Sequence, residues 1–304
     1  KKSKTEDEAT SIEPILRYVE FYSGVGGWTM ALEQALQRIP GIKFGLCRVA
    51  ALDHSDLCTK AFEHNFGRSH QEKSFDIERL TLQQVEEWKA TIWAMSPPCQ
   101  PHTRQHSNQG QDLKDPRSSS FLHLLSLIRE MKMDCLPSLL FLENVVGFES
   151  SSSFDLWIET LTNRGYNIVS FHLNPSQVGL PNDRPRYFGV AVLKHQSCGE
   201  GASEGDTLTS YWNSEPRTIL TSLPELGVPK IEDCTESDLP CIDSFLDKNH
   251  DQKGLAVPSK VISGSAAWCF DVVTPASRRS ACFTQSYGRY IRGTGSILYQ
   301  DKTK

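Results

Sequence analysis

The chain has 304 residues, 38% of them hydrophobic, with 20 glycines, nine cysteines and 32 Lys+Arg against 37 Asp+Glu, a formal charge of -5. An apolar share of about 45% once glycine is counted excludes a chain too polar to bury a core, and no apolar run approaches the roughly 18 residues that a membrane helix needs. The start, Lys1-Lys2-Ser3-Lys4, lacks a signal peptide's apolar stretch, and no C-x-x-C pair indicates a zinc ribbon or a dense disulfide framework. The net acidity argues at first against nucleic acid.

Residues 1–12 read as a solvated tail of mixed charge, whose Lys-Lys-Ser-Lys start doubles as a candidate nuclear signal in an otherwise cytoplasmic, reducing setting. The β-branched and aromatic run at 15–22 predicts a strand that stops at Ser23-Gly24-Val25-Gly26-Gly27, and the apolar spacing of Met30, Leu32, Ala35 and Leu36 predicts a helix over 28–38. A second strand at 44–52 ends on Asp53 and leads into a helix to about residue 66. A short apolar piece ends at Asp76-Ile77, a helix covers 80–88, and a strand at 91–95 runs into Ser96-Pro97-Pro98-Cys99. An amphipathic helix over 120–133 precedes a buried strand at 139–142 that ends at Glu143-Asn144. A helix at 153–164 and strands at 166–173 and 186–193 complete the pattern. Alternating strands and helices imply an α/β domain with a mostly parallel sheet covered on both faces, over residues 13–194.

From 195 to 260 the pattern breaks into Ser, Gly, Pro and acidic residues, which reads as an acidic insertion or linker, in part disordered. Residues 261–304 are Gly-rich, aromatic and basic, with short strands expected.

The residues that could carry chemistry fall at predicted strand ends. In a doubly wound sheet those ends line one edge, where a nucleoside-type ligand lies. The glycine turn is G-x-G-G rather than the dinucleotide G-x-G-x-x-G, and no Lys-Ser/Thr follows as in a P-loop, so a nucleoside without phosphates fits better. A tight turn with no ligand fits the glycines equally. Asp53 suits ribose hydroxyls or the cap of the next helix, and Asp76 is also a turn former. Three prolines around Cys99 fix the backbone and present the thiol in a set direction, as for a nucleophile; a buried structural thiol is the alternative. His102 and His106 lack an H-E-x-x-H core or an acidic third ligand and are read as loop polarity, with no metal.

Four segments in order, Phe21-Tyr22-Ser23-Gly24-Val25-Gly26-Gly27, Pro97-Pro98-Cys99-Gln100, Glu143-Asn144-Val145 and Gln177 to Arg186, resemble the motifs of the cytosine-5 methyltransferase family. Further on, Cys282-Phe283-Thr284, Tyr287, Tyr290 and Gly293-Thr294-Gly295-Ser296 resemble the eukaryotic branch that looks like a DNA methyltransferase but methylates cytosine 38 of aspartate tRNA. The resemblance implies an S-adenosylmethionine-dependent, Rossmann-like methyltransferase that releases S-adenosylhomocysteine, with 261–304 the start of a target-recognition domain. It implies Cys99 as nucleophile, Glu143 at the base's N3, and Arg184 and Arg186 at O2 or the backbone. It places the cofactor among Tyr22, Ser23 to Gly27, Asp53, His54, Asp76, Ile77 and Pro97. The substrate would meet Gln100, Asn144, Val145, Cys282, Phe283, Thr284, Tyr287, Arg289, Tyr290 and Arg292.

The expected partner is tRNA, tRNA-Asp first, on which a monomeric enzyme with no membrane association acts. A DNA cytosine-5 methyltransferase and a catalytically silent nucleic-acid-binding product are the competing readings. The chain lacks an initiator Met and the family's C-terminal Gly-Asn-Ser segment, so a truncated piece with weak or no turnover is expected. Charge partition removes the objection to nucleic acid. Residues 195–260 hold 12 acids and 5 bases, whereas 261–304 hold two acids and six bases, with Arg278, Arg279, Arg289 and Arg292 beside Tyr287 and Tyr290.

Overall fold

The computed structural model describes residues 14–38, 44–67, 75–98, 112–194, 211, 215–247, 256–265, 267–284, 287 and 293–300. The chain divides into two units, one of residues 1–170 with 187–218, the other of 171–186 with 219–304.

In the first unit β1 (Ile15–Phe21) is followed by α1 (Gly27–Arg38), β2 (Gly45–Leu52), α2 (Asp56–Phe66), α3 (Leu82–Glu87) and β3 (Ile92–Met95). Then come α4 (Ser119–Glu130), β4 (Leu139–Val145), α5 (Ser152–Asn163), β5 (Tyr166–Leu173) and β6 (Arg186–Leu193), the last two strands running across the boundary of the units. With β7 (Ile219–Leu220) they form a seven-stranded sheet in the order β2-β1-β3-β4-β6-β5-β7. β1 pairs in parallel with β2 on one side and β3 on the other, and β3 pairs in parallel with β4. All four residues of β3, Ile-Trp-Ala-Met, are buried, as expected of an interior strand covered on both faces. The expected α/β architecture is therefore present, and its strand order reverses at β1, where the chain goes first to β2 and then back past β1 to β3.

Periodicity sets the helix faces. Leu32 of α1 packs with Tyr18 and Ile92, α4 buries Phe121, Leu124, Leu125, Leu127 and Ile128, and α5 buries Phe154, Trp157, Ile158 and Leu161. Ser55 and Ser151 cap α2 and α5 by accepting from the Cys58 and Phe154 amides, and Thr81 with Gln84 forms a capping box on α3.

Two expectations are corrected. Asp76 ends no described strand: residues 68–74 lie outside the described ones, Phe75 and Asp76 are in no strand, and the Asp76 carboxylate accepts the Glu78 amide and caps a 3-10 turn, Ile77–Arg79, as a turn former does. Glu143 and Asn144 lie within β4, because alternating burial continues through Val145.

The second unit is built from short pieces, the 3-10 turns Pro175–Val178, Pro224–Leu226, Ile231–Asp233, Glu236–Asp238 and Ile242–Phe245 and the helical turn α6 (Ser259–Ile262). A parallel pair, β8 (Val272–Val273) with β9 (Ile297–Leu298), follows. Polar contacts hold it together: Gln177, 5% exposed, donates to the Thr221 and Pro229 carbonyls at 2.8 and 2.6 Å.

Candidate active site

In the first unit the site grows from the strand-order reversal at β1 and β3, which are paired to their last residues, Phe21 and Met95, and beyond which the loops of an open α/β sheet carry ligands. Directly after β1, Tyr22 has φ +57°, a conformation that costs a non-glycine residue of order 1–3 kcal/mol and persists only where its surroundings impose it. Its hydroxyl donates to Ser120 Oγ at 3.0 Å, and burial pushes its phenol above the usual tyrosine range, so Tyr22 stays a neutral donor.

The glycine turn is anchored from below by two carboxylates. Asp53 Oδ2 accepts the Gly24 amide at 2.9 Å while Oδ1 accepts that of Ser55, also at 2.9 Å. Glu20, 1% exposed, accepts the Trp28 and Thr29 amides at 3.0 Å each and the Thr29 hydroxyl at 2.6 Å, so it fills the N-terminus of α1. Burial holds the Glu20 carboxyl above the ordinary range, against the opposing effect of these donors.

The glycines have different surroundings. A Cβ on Gly26 would sit 2.1 Å from Phe66 Cε2, so this residue lets α2 approach the turn. A Cβ on Gly27 would meet nothing within 4 Å, and one on Gly24 only the Tyr22 carbonyl oxygen at 4.0 Å. That open side, with Asp53 and Tyr22 at its base, has the room a closely approaching nucleoside-type ligand requires. Among the described residues no lysine is hydrogen-bonded into this turn.

The loop after β3 is tied to the same place. Trp28 Nε1 donates to Ser96 Oγ at 2.9 Å, its ring stacks on Phe141 at 5.3 Å, and Asn144 Nδ2 donates to the Pro97 carbonyl at 3.3 Å. Asn144 is 1% exposed and so supports the proline loop from behind. Glu143, half-buried, shares the opposite β4 face with Phe141 and Val145. Phe75 N donates to the Asp53 carbonyl at 2.8 Å and brings Asp76 and buried Ile77 along, whereas His54 and Val25 are exposed. Cys99, Gln100, His102 and His106 lie outside the described residues, as do Arg289, Tyr290 and Arg292.

In the second unit, Arg184 Nη1 donates to Cys282 Sγ at 2.7 Å and Arg186 Nη2 to the same sulfur at 3.5 Å. Thr284 N donates to the Thr294 carbonyl at 2.9 Å, and Tyr287, whose hydroxyl donates to the Ser296 carbonyl, packs edge-on against Phe283 at 4.9 Å. Gly295, at φ +142°, lies under this pair; a Cβ there would come within 2.6 Å of Phe283 Cδ1. Sequence reasoning missed Glu20, Ser96, Ser120 and Asn174. A glutamate inside an apolar strand just before a glycine turn was the available signal for the first.

The match to known proteins now bears on these motifs. The profile of the family described as C-5 cytosine-specific DNA methylase matches residues 16–257. The chain belongs to that family. Among relatives of this methylase, the tRNA (cytosine(38)-C(5))-methyltransferase of Bos taurus is 35% identical over 322 residues, covering 94% of this chain and 79% of the relative. A Dictyostelium discoideum protein named DNA (cytosine-5)-methyltransferase is 32% identical over 307 residues, covering 94% and 76%. The crystal structure of S. pombe Dnmt2 methyltransferase is similar with a TM-score of 0.70 at 29% identity, covering 95% of the methylase and 77% of that chain. Among the described residues of the methylase, no helix is long and apolar enough to cross a membrane.

Proposed function

We propose that this methyltransferase acts on tRNA, placing a methyl group on C5 of cytosine 38 in the anticodon loop, with aspartate tRNA as its first substrate. The observation that carries this reading is the 35% identity, over 94% of the chain, to a protein named for that reaction. The loop position supports it, since an unpaired base reaches a closed pocket at less cost than one stacked in a duplex.

S-adenosylmethionine, when bound, supplies the electrophilic methyl group. The open side of the glycine turn at Gly24 and Gly27, the anchored Asp53 carboxylate, Tyr22 with Ser120, and Pro97 are the groups that would hold it. The remaining chemistry falls to the chain. Cytosine C5 is a poor nucleophile, so the Cys99 thiolate adds to C6 and pushes electron density onto C5. Glu143 holds N3 and offsets the charge that addition creates. Arg184 and Arg186 contact O2 or the adjacent phosphate. After transfer a base removes the C5 proton and Cys99 leaves, which restores the aromatic ring.

Incubation with methyl-labelled cofactor and an aspartate tRNA transcript tests the reading. Label at cytosine 38 that vanishes in Cys99→Ala is expected; label that survives the substitution overturns the covalent route. The name of the Dictyostelium relative and the family description favour DNA as a second substrate. A cytosine-containing duplex labelled faster than tRNA would replace the first reading by the second. Reversing Arg289 and Arg292 to glutamate is expected to weaken tRNA binding and flatten its salt dependence.

A further inference from the structure

The second unit contains a side-chain pair, Asp183 with Arg279, to which the proposed reaction gives no role. Residues 181–186 and 279–283, far apart in sequence, are fastened side by side. Asn182 Nδ2 donates to Ser280 Oγ at 2.9 Å, Ser280 Oγ donates to the Pro181 carbonyl at 2.8 Å, and Asp183 N donates to the Ser280 carbonyl at 2.8 Å. Asp183 and Ala281 form a parallel bridge, and Arg184 continues the line to Cys282 Sγ and the Phe283 carbonyl, 2.7 and 3.4 Å away.

Asp183 is at the centre. Its Oδ2 accepts from Arg279 Nη2 at 2.7 Å and its Oδ1 from Asn174 Nδ2 at 3.0 Å. Asn174, 9% exposed, uses its own Oδ1 to accept the Arg184 backbone amide at 2.9 Å, while its backbone N–H donates to Gln177 Oε1 at 2.7 Å. One carboxylate is thus joined on one side to a buried amide that fixes the Arg184 backbone. On the other it holds a guanidinium one residue before Ser280. Arg279 is held as a protein contact, its charge compensated where the composition of 261–304 suggested a phosphate ligand. Arg278 is similarly engaged with the Leu239 carbonyl.

We infer that Asp183 and Arg279 are a positioning pair, which locks the Arg184–Arg186 segment onto the Cys282–Thr284 segment and thereby sets the surface offered to the target nucleotide. The inference rests on the tRNA reading for its substrate but not for its geometry. Neither residue touches reacting atoms. A phosphate-binding Arg279 and a locking Arg279 make opposite predictions. If Arg279 bound phosphate, Asp183→Asn would unmask it and tighten RNA binding, and Arg279→Gln would lower the salt slope by about one phosphate's share.

The locking pair instead predicts that Asp183→Asn and Arg279→Gln each raise KM for tRNA by roughly tenfold with kcat changed less than threefold. The double variant is expected to be no worse than the poorer single, since both break one contact. The salt slope of binding and the affinity for S-adenosylhomocysteine should not move, and Arg279→Lys, which keeps the charge pair, should recover most of the loss. Unchanged KM in Asp183→Asn, tighter RNA binding, or additive losses in the double variant overturn the inference. A second readout needs no substrate. Opening the lock exposes Cys282, so its iodoacetamide labelling, followed by peptide mass spectrometry, should rise several-fold in either single variant. Failure of the wild type to methylate tRNA with this rise present would refute the substrate reading alone. Absence of the rise in folded variants refutes the lock.

Discussion

Two segments of this molecule are pinned by aspartates, and they are pinned differently. Asp53, its side chain 10% exposed, accepts backbone amides at Gly24 and Ser55, groups on neighbouring strand ends whose places the sheet already dictates. Asp183, its side chain 39% exposed, holds the side chain of Arg279, a group brought from the far end of the chain. A buried carboxylate on backbone donors makes a turn part of the sheet. A half-exposed one on a guanidinium makes a segment dependent on a distant partner, and on pH. The Gly24 turn is therefore set by the core of its own unit, and the Arg184 segment by a contact that can be released.

The largest expected effect that would sharpen this contrast is Glu20→Ala. It strands two amides and a hydroxyl at the start of α1, which should cost about 3 kcal/mol and abolish cofactor binding, whereas removing Arg279, half of an exposed ion pair, should cost only about 0.5 kcal/mol. Equal losses of denaturant midpoint in the two variants would break the comparison. Next comes Gly26→Ala. Its Cβ would collide with Phe66 at a residue with φ +92°, so a loss of about 2 kcal/mol is expected in thermal unfolding, and less if the ring can swing away.

The pH dependence should separate the two regions by sign. Burial raises the Glu20 carboxyl, so the folded chain keeps that proton to higher pH than the unfolded chain does. Stability contributed there falls as pH rises from the ordinary glutamate range to the raised folded value, then stays level. The Arg279 guanidinium lowers the Asp183 carboxyl, so its contribution is complete above the ordinary aspartate range and is lost as pH falls through the lowered folded value. Unfolding free energies across about pH 3 to 8 should lose the falling limb in Glu20→Gln and the acid-side limb in Asp183→Asn; the reverse assignment would be a refutation. The smallest effect is that of Tyr22→Phe, which removes the bond to Ser120 at a cost of about 1 kcal/mol and should weaken cofactor binding more than tRNA binding.

What was legible from sequence follows the same division. The turn at 23–27 and the strands 166–173 and 186–193 were readable because β-branched runs, glycines and helical spacing are local signals. Asp76 was misplaced because an aspartate that caps a turn and one that ends a strand look alike in sequence. Glu143 was set past its strand since polarity, not pairing, marked the end. Arg184 and Arg186 were readable as a motif, but their contacts with Cys282 were not, because no local pattern specifies a partner 98 or 96 positions away. Asn144 illustrates both sides. Its position in the motif suggested substrate, and only the burial of its amide against Pro97 shows it bracing a loop.

The separation of 96 residues between Asp183 and Arg279 has a bearing on synthesis. A ribosome delivers β1, the glycine turn and β2 early, and their contacts can close while the rest is being made. The segment that carries Arg184 must wait until residue 279 has emerged, since long loops close late and slowly. During that interval the glycine turn and its Asp53 anchor can be in place while the Asp183–Arg279 contact is still open, so the order of translation separates the assembly of the two aspartate-pinned segments.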